Sequence, residues 1–310
     1  MKASKPRYKT TNWPAYNLAL QKRGDLTIWF SPDLTWYGNE RIGKTGRPTR
    51  YRDHAIQTIL TLKALFSQAL RQIRGLVVSL VRQLKLNWIV PCYSTVSRRQ
   101  AKLNVAIPVR RTQEPLHLLI DSTGLKFYGE GEWKVKKHGM AYRRGWRKVH
   151  LAIDRTTQEI HAVEMTDQYQ SDSPQVPGLL AQLPTAAMLG SVTADGAYDK
   201  RRVYRSVHER GAELITPPCK NAQCWKDNTD WANSRNNNLT AIKRLGRAIW
   251  KRWSGYHQRN LIETAMHRFK RLGERLHARK PAQQAAEVYI RCAILNRWVQ
   301  LGLPVTVPRS

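Results

Sequence analysis

The second half of the chain alternates short apolar runs with polar breaks, in an order that strongly restricts its fold. Three strand-like runs come first, and a turn-type segment, Asp154–Gln158, separates the second from the third. Helix-like and strand-like segments then alternate. The strand-like runs are Leu116–Ile120, Trp146–Ile153, Glu159–Met165, Ser191–Ala194 and Glu213–Thr216, and the helix-like ones are Pro174–Leu183 and Asp199–Arg210. We therefore predict an α/β fold with helices on both faces of a mixed sheet.

The charge balance indicates a polyanionic partner. Lys and Arg total 53 against 22 Asp and Glu, so the formal net charge is +31. Such an excess repels itself unless a polyanion offsets it, and nucleic acid does so with release of counterions. A basic enzyme without this partner is the alternative. The opening residues lack a signal-peptide pattern, no run of about 18 apolar residues occurs, and the four cysteines form no zinc-type set. We expect a cytoplasmic protein without membrane contact.

Residues before the strand-like region favour helices. Apolar residues from Ile73 to Leu84 recur at helical spacing, and Ser94 can cap a short third helix, Thr95–Leu103. That helix carries three basic residues, Arg98, Arg99 and Lys102. Three helices with a basic last one predict an all-α, helix-turn-helix-like unit that binds DNA. A plain helical bundle with a solvated basic face is the competing interpretation.

Two aspartates directly follow apolar strand-like runs. Asp121 follows Ile120, and Asp195 follows Ala194. Side chains at such strand ends are held by the sheet and reach solvent, and neighbouring strands would bring the two carboxylates together. Two close carboxylates repel each other unless a cation intervenes, and Mg²⁺ prefers oxygen ligands. Each residue alone could instead belong to a turn, as we expect for Asp154, or begin a helix, as we expect for Asp199.

A third acid lies in the helix-like segment Tyr256–Lys270. At about 100° per residue, Tyr256, Arg259, Glu263 and Lys270 fall within an arc of about 60°. An adjacent apolar stripe, formed by Ile262, Met266 and Phe269, would seat the helix on the sheet. An isolated glutamate here would more often be a solvated helix residue. A single acid among three groups suited to phosphate binding instead suggests a metal ligand.

Phosphodiester cleavage accounts for this set of residue types. Two divalent ions about 3.5–4 Å apart can activate a nucleophile and stabilise the leaving oxygen, and a few carboxylates hold them. We therefore expect Asp121, Asp195 and Glu263 to be the catalytic residues and the ligands of two Mg²⁺ ions, for which Mn²⁺ can substitute. Arg259 and Lys270 would position DNA phosphates. Tyr256 would bond a phosphate or stack on a base.

These motifs resemble those of bacterial insertion-sequence transposases with a DDE active site. Tyr256, Arg259, Glu263 and Lys270 reproduce the Y-(2)-R-(3)-E-(6)-K signature of that group. Asp121-Ser-Thr-Gly124 and Asp195-Gly-Ala-Tyr-Asp199 look like its two aspartate motifs, and Trp146–Asp154 resembles its hairpin. The chain is most similar to the IS5 family, in its IS903-like branch.

The resemblance implies a fold and an activity. The order of elements matches the ribonuclease H-like fold of these enzymes. They bind the terminal inverted repeats of their element, cut there with water, and join the freed 3′-hydroxyl to target DNA by transesterification. The resemblance also implies homo-oligomers, dimers or larger, that assemble on double-stranded DNA at the bacterial nucleoid.

We expect three regions along the chain. They are an N-terminal DNA-binding helical region (1–107), a catalytic domain (108–280, with a short polar insertion at 219–240) and a C-terminal helix (281–310). In the insertion, Trp225 or Trp231 could wedge into DNA, although ordinary packing is the simpler reading. Two other functions remain open, namely a ribonuclease H-like nuclease without strand transfer and a non-enzymatic DNA-binding regulator.

Overall fold

A computed structural model describes residues 8–38, 50–127 and 145–308. The chain divides into two compact units. One comprises Met1–Ala106 together with Ala293–Ser310, and the other comprises Ile107–Cys292. Within the described residues, no helix combines the length and the apolar content that a membrane crossing requires.

Eight strands and ten α-helices are present in the described residues. The strands are β1 (Tyr8–Thr10), β2 (Leu116–Phe127), β3 (Trp146–Asp154), β4 (Ile160–Asp167), β5 (Leu189–Thr193), β6 (Glu213–Ile215), β7 (Arg275–Leu276) and β8 (Thr306–Pro308). The helices are α1 (Trp13–Arg23), α2 (Asp53–Phe66), α3 (Leu70–Gln83), α4 (Tyr93–Gln100), α5 (Val176–Ala181), α6 (Arg201–His208), α7 (Asp230–Leu245), α8 (Arg247–Trp253), α9 (Asn260–Arg271) and α10 (Pro281–Leu301).

The first unit contains the three helices that the sequence indicates. The apolar stripe of α3 turns inward, with Ile73 and Val77 fully buried, because residues four apart share one face of a helix. The third of these helices, α4, runs from Tyr93 to Gln100 rather than from Thr95 to Leu103, and Cys92 instead of Ser94 is its N-cap residue. The strands β1 and β8 pair antiparallel in this same unit.

The sheet of the second unit confirms the predicted mixed α/β architecture. Its strands lie in the order β4-β3-β2-β5-β6, and β7 pairs with the far end of β2. Strands β2, β3 and β4 are antiparallel neighbours, whereas β5 and β6 run parallel to β2. The predicted turn between β3 and β4 is present. Asp154 Oδ2 accepts hydrogen bonds there from the backbone N–H groups of Thr156 and Thr157.

Helices pack on the sheet through its alternating side chains. Leu118, Ile120 and Val192 point into a core that α5 and α6 cover. Asp121 is the next residue along β2 after Ile120, so its side chain points to the opposite face. That face meets α9, which packs against β2. The alternation of β2 therefore separates the apolar core from the face that carries the acid.

Asp121 lies within a strand rather than at its end, which corrects the sequence-based expectation. The strand β2 continues to Phe127 because β3 pairs with it from Leu118 to Lys126. The Asp121-Ser-Thr-Gly124 segment, which could have formed a turn, is part of strand β2 instead. A Cβ at Gly124 would come within 3.1 Å of the Trp146 ring on β3, so this position favours glycine.

Two further expectations need correction between β6 and α9. The polar stretch predicted as an insertion, residues 219–240, is helical from Asp230 onward, where α7 begins. The segment predicted as one helix from Tyr256 is a 3₁₀ turn, Tyr256–Arg259, followed by α9. Gly255 has φ 71°, a left-handed conformation that interrupts the helical path before this turn.

Candidate active site

Asp121 and Asp195 stand at matching heights on neighbouring strands. Leu119 of β2 pairs with Thr193 of β5 in parallel register, and each aspartate lies two residues beyond its member of that pair. Neighbouring strands lie about 5 Å apart, so the two carboxylates start from adjacent backbones and face the same side of the sheet. The fold therefore brings together the two acids that the sequence singled out.

The Asp121 carboxylate is partly buried and held at both oxygens. Its Oδ1 accepts a hydrogen bond from the backbone N–H of Ser122 at 2.8 Å, and its Oδ2 accepts one from Arg259 at 2.6 Å. Burial raises the pKa of this carboxyl group, and the neighbouring Asp195 charge raises it further. The Ser122 and Arg259 contacts oppose that rise. The Asp195 charge is therefore close enough to Asp121 to disfavour its ionisation.

Asp195 begins the 3₁₀ turn that follows β5. Its Oδ1 accepts a hydrogen bond from the backbone N–H of Ala197 at 2.9 Å, and its own carbonyl accepts one from the Thr216 hydroxyl at 2.6 Å. A Cβ at Gly196 would lie 3.1 Å from the Pro217 carbonyl oxygen, so the turn packs closely against the segment after β6. These contacts fix the backbone that carries Asp195.

Helix α9 presents Glu263 to this region while its apolar stripe is buried. Ile262 and Phe269 are fully buried and Met266 nearly so, which confirms the predicted docking face. Arg259, just before the helix, donates to Asp121 Oδ2 at 2.6 Å and to Glu263 Oε1 at 2.7 Å. One guanidinium contacts both oxygens, so these oxygens lie no more than about 8 Å apart. That distance is two spacings between the ions of a two-metal site.

The other two residues of the Tyr-Arg-Glu-Lys signature flank these acids differently. Tyr256 is half-buried, with its ring 5.5 Å from the buried Trp250 ring. Burial raises the pKa of its phenol, with Asp195 and Asp121 adding to the rise against the opposing charge of Arg259. Lys270 is partly exposed two turns further along α9 than Glu263. Tyr256 thus neighbours the acid pair, and Lys270 continues the same helix face.

The basic residues of α4 and of the turn that follows it divide into exposed and paired members. Arg98 and Lys102 are exposed and four residues apart. Arg99 instead donates to the Tyr51 carbonyl at 3.0 Å and to Asp53 Oδ1 at 2.5 Å, tying α4 to the start of α2. Arg98 and Lys102 therefore remain candidates for phosphate contact, whereas Arg99 contributes to the packing of the helices.

Asp199, the other acid of the second aspartate motif, forms a buried ion pair that the sequence did not reveal. The predicted helix start is instead at Arg201, with Lys200 before it. Both Asp199 carboxylate oxygens accept hydrogen bonds at 3.1 Å from Arg235 of α7, and both side chains are almost fully buried. An acid in a motif and an arginine in an apparent loop carry no local signal of this pairing.

The two tryptophans of the predicted insertion are packing residues. Trp225 and Trp231 are partly buried and pack against the core cluster below α6. The Trp225 ring meets Tyr204 edge-on at 5.2 Å and lies under the Arg235 guanidinium at 4.4 Å. The simpler of the two readings from sequence therefore holds for both side chains.

The acids suit a divalent cation by chemistry, although they are not preassembled around one position. Carboxylate oxygens are the ligands that Mg²⁺ prefers, and Asp121, Asp195 and Glu263 supply them from one face. Among residues 8–38, 50–127 and 145–308, no three acidic, histidine or cysteine side chains stand close enough together to enclose a metal ion. The Arg259 guanidinium lies between Asp121 and Glu263 instead.

Two protein-family models match the chain. A family model described as a transposase DDE domain matches residues 112–297, which is more than half of the chain. The chain belongs to the DDE transposase family. A second model with the same description matches residues 21–130. All three candidate acids of this DDE transposase lie in the longer match, and members of the family are enzymes of DNA transposition that generally use divalent metals.

Proposed function

We propose that this DDE transposase cuts the ends of its own insertion sequence and joins them to target DNA, with Asp121, Asp195 and Glu263 as its catalytic acids. The observation that carries the proposal is the register of β2 and β5, which sets Asp121 beside Asp195, together with the Arg259 contacts that tie Glu263 to Asp121. The Tyr-Arg-Glu-Lys signature supports placing the protein in the IS5 family, in its IS903-like branch.

The reaction has two displacements at phosphorus. Water attacks the phosphodiester at the terminal inverted repeat and frees a 3′-hydroxyl, and that hydroxyl then attacks a target phosphodiester, with one P–O bond formed and one broken each time. Two bound Mg²⁺ or Mn²⁺ ions would supply activation of the attacking oxygen and stabilisation of the leaving oxygen. Asp121, Asp195 and Glu263 would hold these ions and orient them through the sheet and α9.

The remaining signature residues bind DNA in this proposal. Arg259 and Lys270 contact phosphates, and the partly buried Tyr256 lies near Arg259, suited to a phosphate or a base face. The exposed Arg98 of α4 and Lys102 just after the helix extend the phosphate contacts, with Arg99 supporting the helix. A helix-turn-helix-like role for α2–α4 and homo-oligomers on paired DNA ends belong to the same proposal, as does a place at the bacterial nucleoid.

The strand order supports a ribonuclease H-like catalytic core within residues 108–280. An antiparallel trio, β4-β3-β2, continues into parallel β5 and β6, with one acid on β2, one just after β5 and one on a later helix. We extend the proposal to an N-terminal DNA-binding region over residues 1–107 and a C-terminal helical region over residues 281–310.

A joining assay tests the proposed function. The protein is incubated with Mg²⁺ or Mn²⁺, a supercoiled plasmid and a labelled duplex that carries the inverted repeat flanking its coding region. We expect joined products from the wild type and none from Asp121→Ala. The exposed Glu209→Ala variant is a matched control for loss of one acid away from the site and should join normally.

The other two functions give different products in the same tube. Cutting without joining would indicate a nuclease that lacks strand transfer. Binding of the duplex without cutting, with Asp121→Ala indistinguishable from the wild type, would indicate a regulator and overturn the enzymatic proposal. Thermal unfolding of each variant establishes that a lost activity is not a lost fold.

A further inference from the structure

The Arg259 side chain lies between two of the three acids, Asp121 and Glu263. Its Nη1 lies 2.6 Å from Asp121 Oδ2 and its Nη2 lies 2.7 Å from Glu263 Oε1. These are short, charge-assisted hydrogen bonds, and a guanidinium cannot give up its proton in a protein. A permanent positive charge therefore lies where these two carboxylates face each other.

Asp121 and Glu263 are also the acids that would hold a divalent cation. A metal ion held by these two carboxylates would be a close neighbour of the guanidinium, and neighbouring cations repel each other strongly. Metal and Arg259 thus compete for this pair of acids. Asp195 lies outside this competition, since its carboxylate contacts the backbone N–H of Ala197 instead.

The contacts between the Arg259 guanidinium and the two acids can also be exchanged for others. Its side chain is 20% exposed and that of Glu263 is 58% exposed, so the ion pair between them contributes little to stability. A DNA phosphate offers a guanidinium the same paired oxygens that carboxylates do. The guanidinium can therefore exchange the acids for a phosphate, and a metal ion would then neutralise the partly buried Asp121 carboxylate in its place.

We propose that Arg259 is a positioning residue that keeps Asp121 and Glu263 closed to metal until a DNA phosphate draws its guanidinium away. The inference rests on the proposed function, because it assumes that these acids are metal ligands. It makes metal binding and DNA binding mutually reinforcing, so that each raises the affinity for the other by the same factor. The complete metal site then forms only where there is a phosphate to cut.

A purely structural Arg259 would predict the opposite sign. If the guanidinium served only to clamp α9 onto β2, its removal would loosen Glu263 and weaken metal binding. Under the proposal, removal clears the competing charge and strengthens metal binding in the absence of DNA. A gain of affinity on loss of a site residue is an outcome that a clamp cannot produce.

The experiment measures Mn²⁺ binding to the full chain without DNA, with free Mn²⁺ followed by electron paramagnetic resonance. We expect Arg259→Gln to bind Mn²⁺ at least about fivefold more tightly than the wild type. Arg271→Gln, which removes the same charge from an exposed position at the end of α9, should match the wild type. Unchanged or weaker binding by Arg259→Gln, with its circular dichroism intact, would overturn the proposal.

Two further measurements separate possible failures. Asp121→Asn should lose Mn²⁺ binding, and if it does not, the proposed function fails with its metal site. If Asp121→Asn loses binding while Arg259→Gln gains none, only the role of Arg259 fails. Should Arg259→Gln not fold, the wild type decides the matter. Mn²⁺ must then tighten binding of a short labelled terminal-repeat duplex beyond a NaCl control of equal ionic strength, and no tightening overturns the proposal.

Discussion

Two arginine–aspartate ion pairs in the second unit differ in how deeply their side chains are buried. Arg235 and Asp199 have side chains only 4% and 2% exposed, and the Trp225 ring lies under the guanidinium. Arg259 is 20% exposed and divides its guanidinium between Asp121 and the largely exposed Glu263. The first contact can break only at the cost of a buried charge, whereas the second can exchange partners with solvent or a ligand.

The contrast is sharpest inside one short motif. Asp195 and Asp199 are four residues apart, yet Asp199 is neutralised by a buried arginine, whereas within the described residues the Asp195 carboxylate accepts its hydrogen bond from the backbone N–H of Ala197. A permanently paired acid builds the scaffold, and an acid without a permanent cation is available for chemistry. The comparison thus predicts opposite consequences for the same substitution at the two positions.

The largest expected effect comes from exchanging each aspartate for asparagine. Asp195→Asn should reduce joining by at least about 10³-fold with no loss of stability, because a metal ligand disappears but no buried charge is stranded. Asp199→Asn should keep the chemistry of its folded fraction and lose stability, since the Arg235 charge is left without a partner. The joining assay and urea unfolding of both variants measure the two effects.

Two outcomes with these variants would contradict the distinction between Asp195 and Asp199. Equal loss of stability in both would mean that Asp195 is a scaffold residue as well. Loss of joining in a fully folded Asp199→Asn protein would mean that the buried pair takes part in the chemistry.

Removal of the buried arginine is the next largest effect. Arg235→Ala should lower the free energy of unfolding by about 3–5 kcal/mol, because it leaves the Asp199 carboxylate buried and unpaired. Arg201 is a matched control, since it also stacks on the Trp225 ring but pairs with Asp227 at an exposed position. Arg201→Ala should cost less than about 1 kcal/mol. Urea unfolding curves of both variants give the comparison.

A double variant sharpens the interpretation. Replacing both partners, as in Asp199→Leu with Arg235→Met, removes both buried charges together. Its loss of stability should be smaller than that of Arg235→Ala alone. If the double variant is the less stable, the pair stabilises through its hydrogen bonds and packing rather than by mutual neutralisation.

Sequence reasoning succeeded where a local pattern and the tertiary structure agree. The alternation of apolar residues predicted the succession of strands and helices along the chain and the turn at Asp154, and the stripe of Ile262, Met266 and Phe269 predicted the buried face of α9. These features depend on neighbours in the chain, which a single sequence displays.

It failed where distant partners override local preference. Asp121 reads as a turn residue, but pairing with β3 extends its strand. The Asn-rich start of α7 reads as a loop, but Asn236 exchanges hydrogen bonds with the Trp225 backbone and Arg235 binds Asp199. The Arg259–Asp121 contact joins residues 138 apart in the chain, a distance that no periodicity reports.

A third acid extends the comparison to a partner that can lose its charge. Asp172 faces Lys148 at 3.2 Å and the fully buried His150 at 3.7 Å. Burial lowers the pKa of His150 to about 4, with the Lys148 charge adding to the effect and Asp172 opposing it. The buried histidine is therefore neutral at pH 7, where Arg235 carries a permanent charge. Asp172 therefore has no charged imidazole as its partner at pH 7, unlike Asp199 with Arg235.

The histidine gives the smallest of the three effects, and its sign follows from the two pKa values. The unfolded chain protonates His150 near pH 6.5, whereas the folded chain resists until about pH 4. Its contribution to the free energy of unfolding is therefore fully present above pH 6.5 and is lost as the pH falls towards 4, by about 3 kcal/mol. Urea unfolding of the wild type and His150→Gln across this range should show their difference shrinking in acid. A difference that stays constant with pH would mean that the folded protein protonates His150 as readily as the unfolded chain does, and Asp172 would then be paired like Asp199.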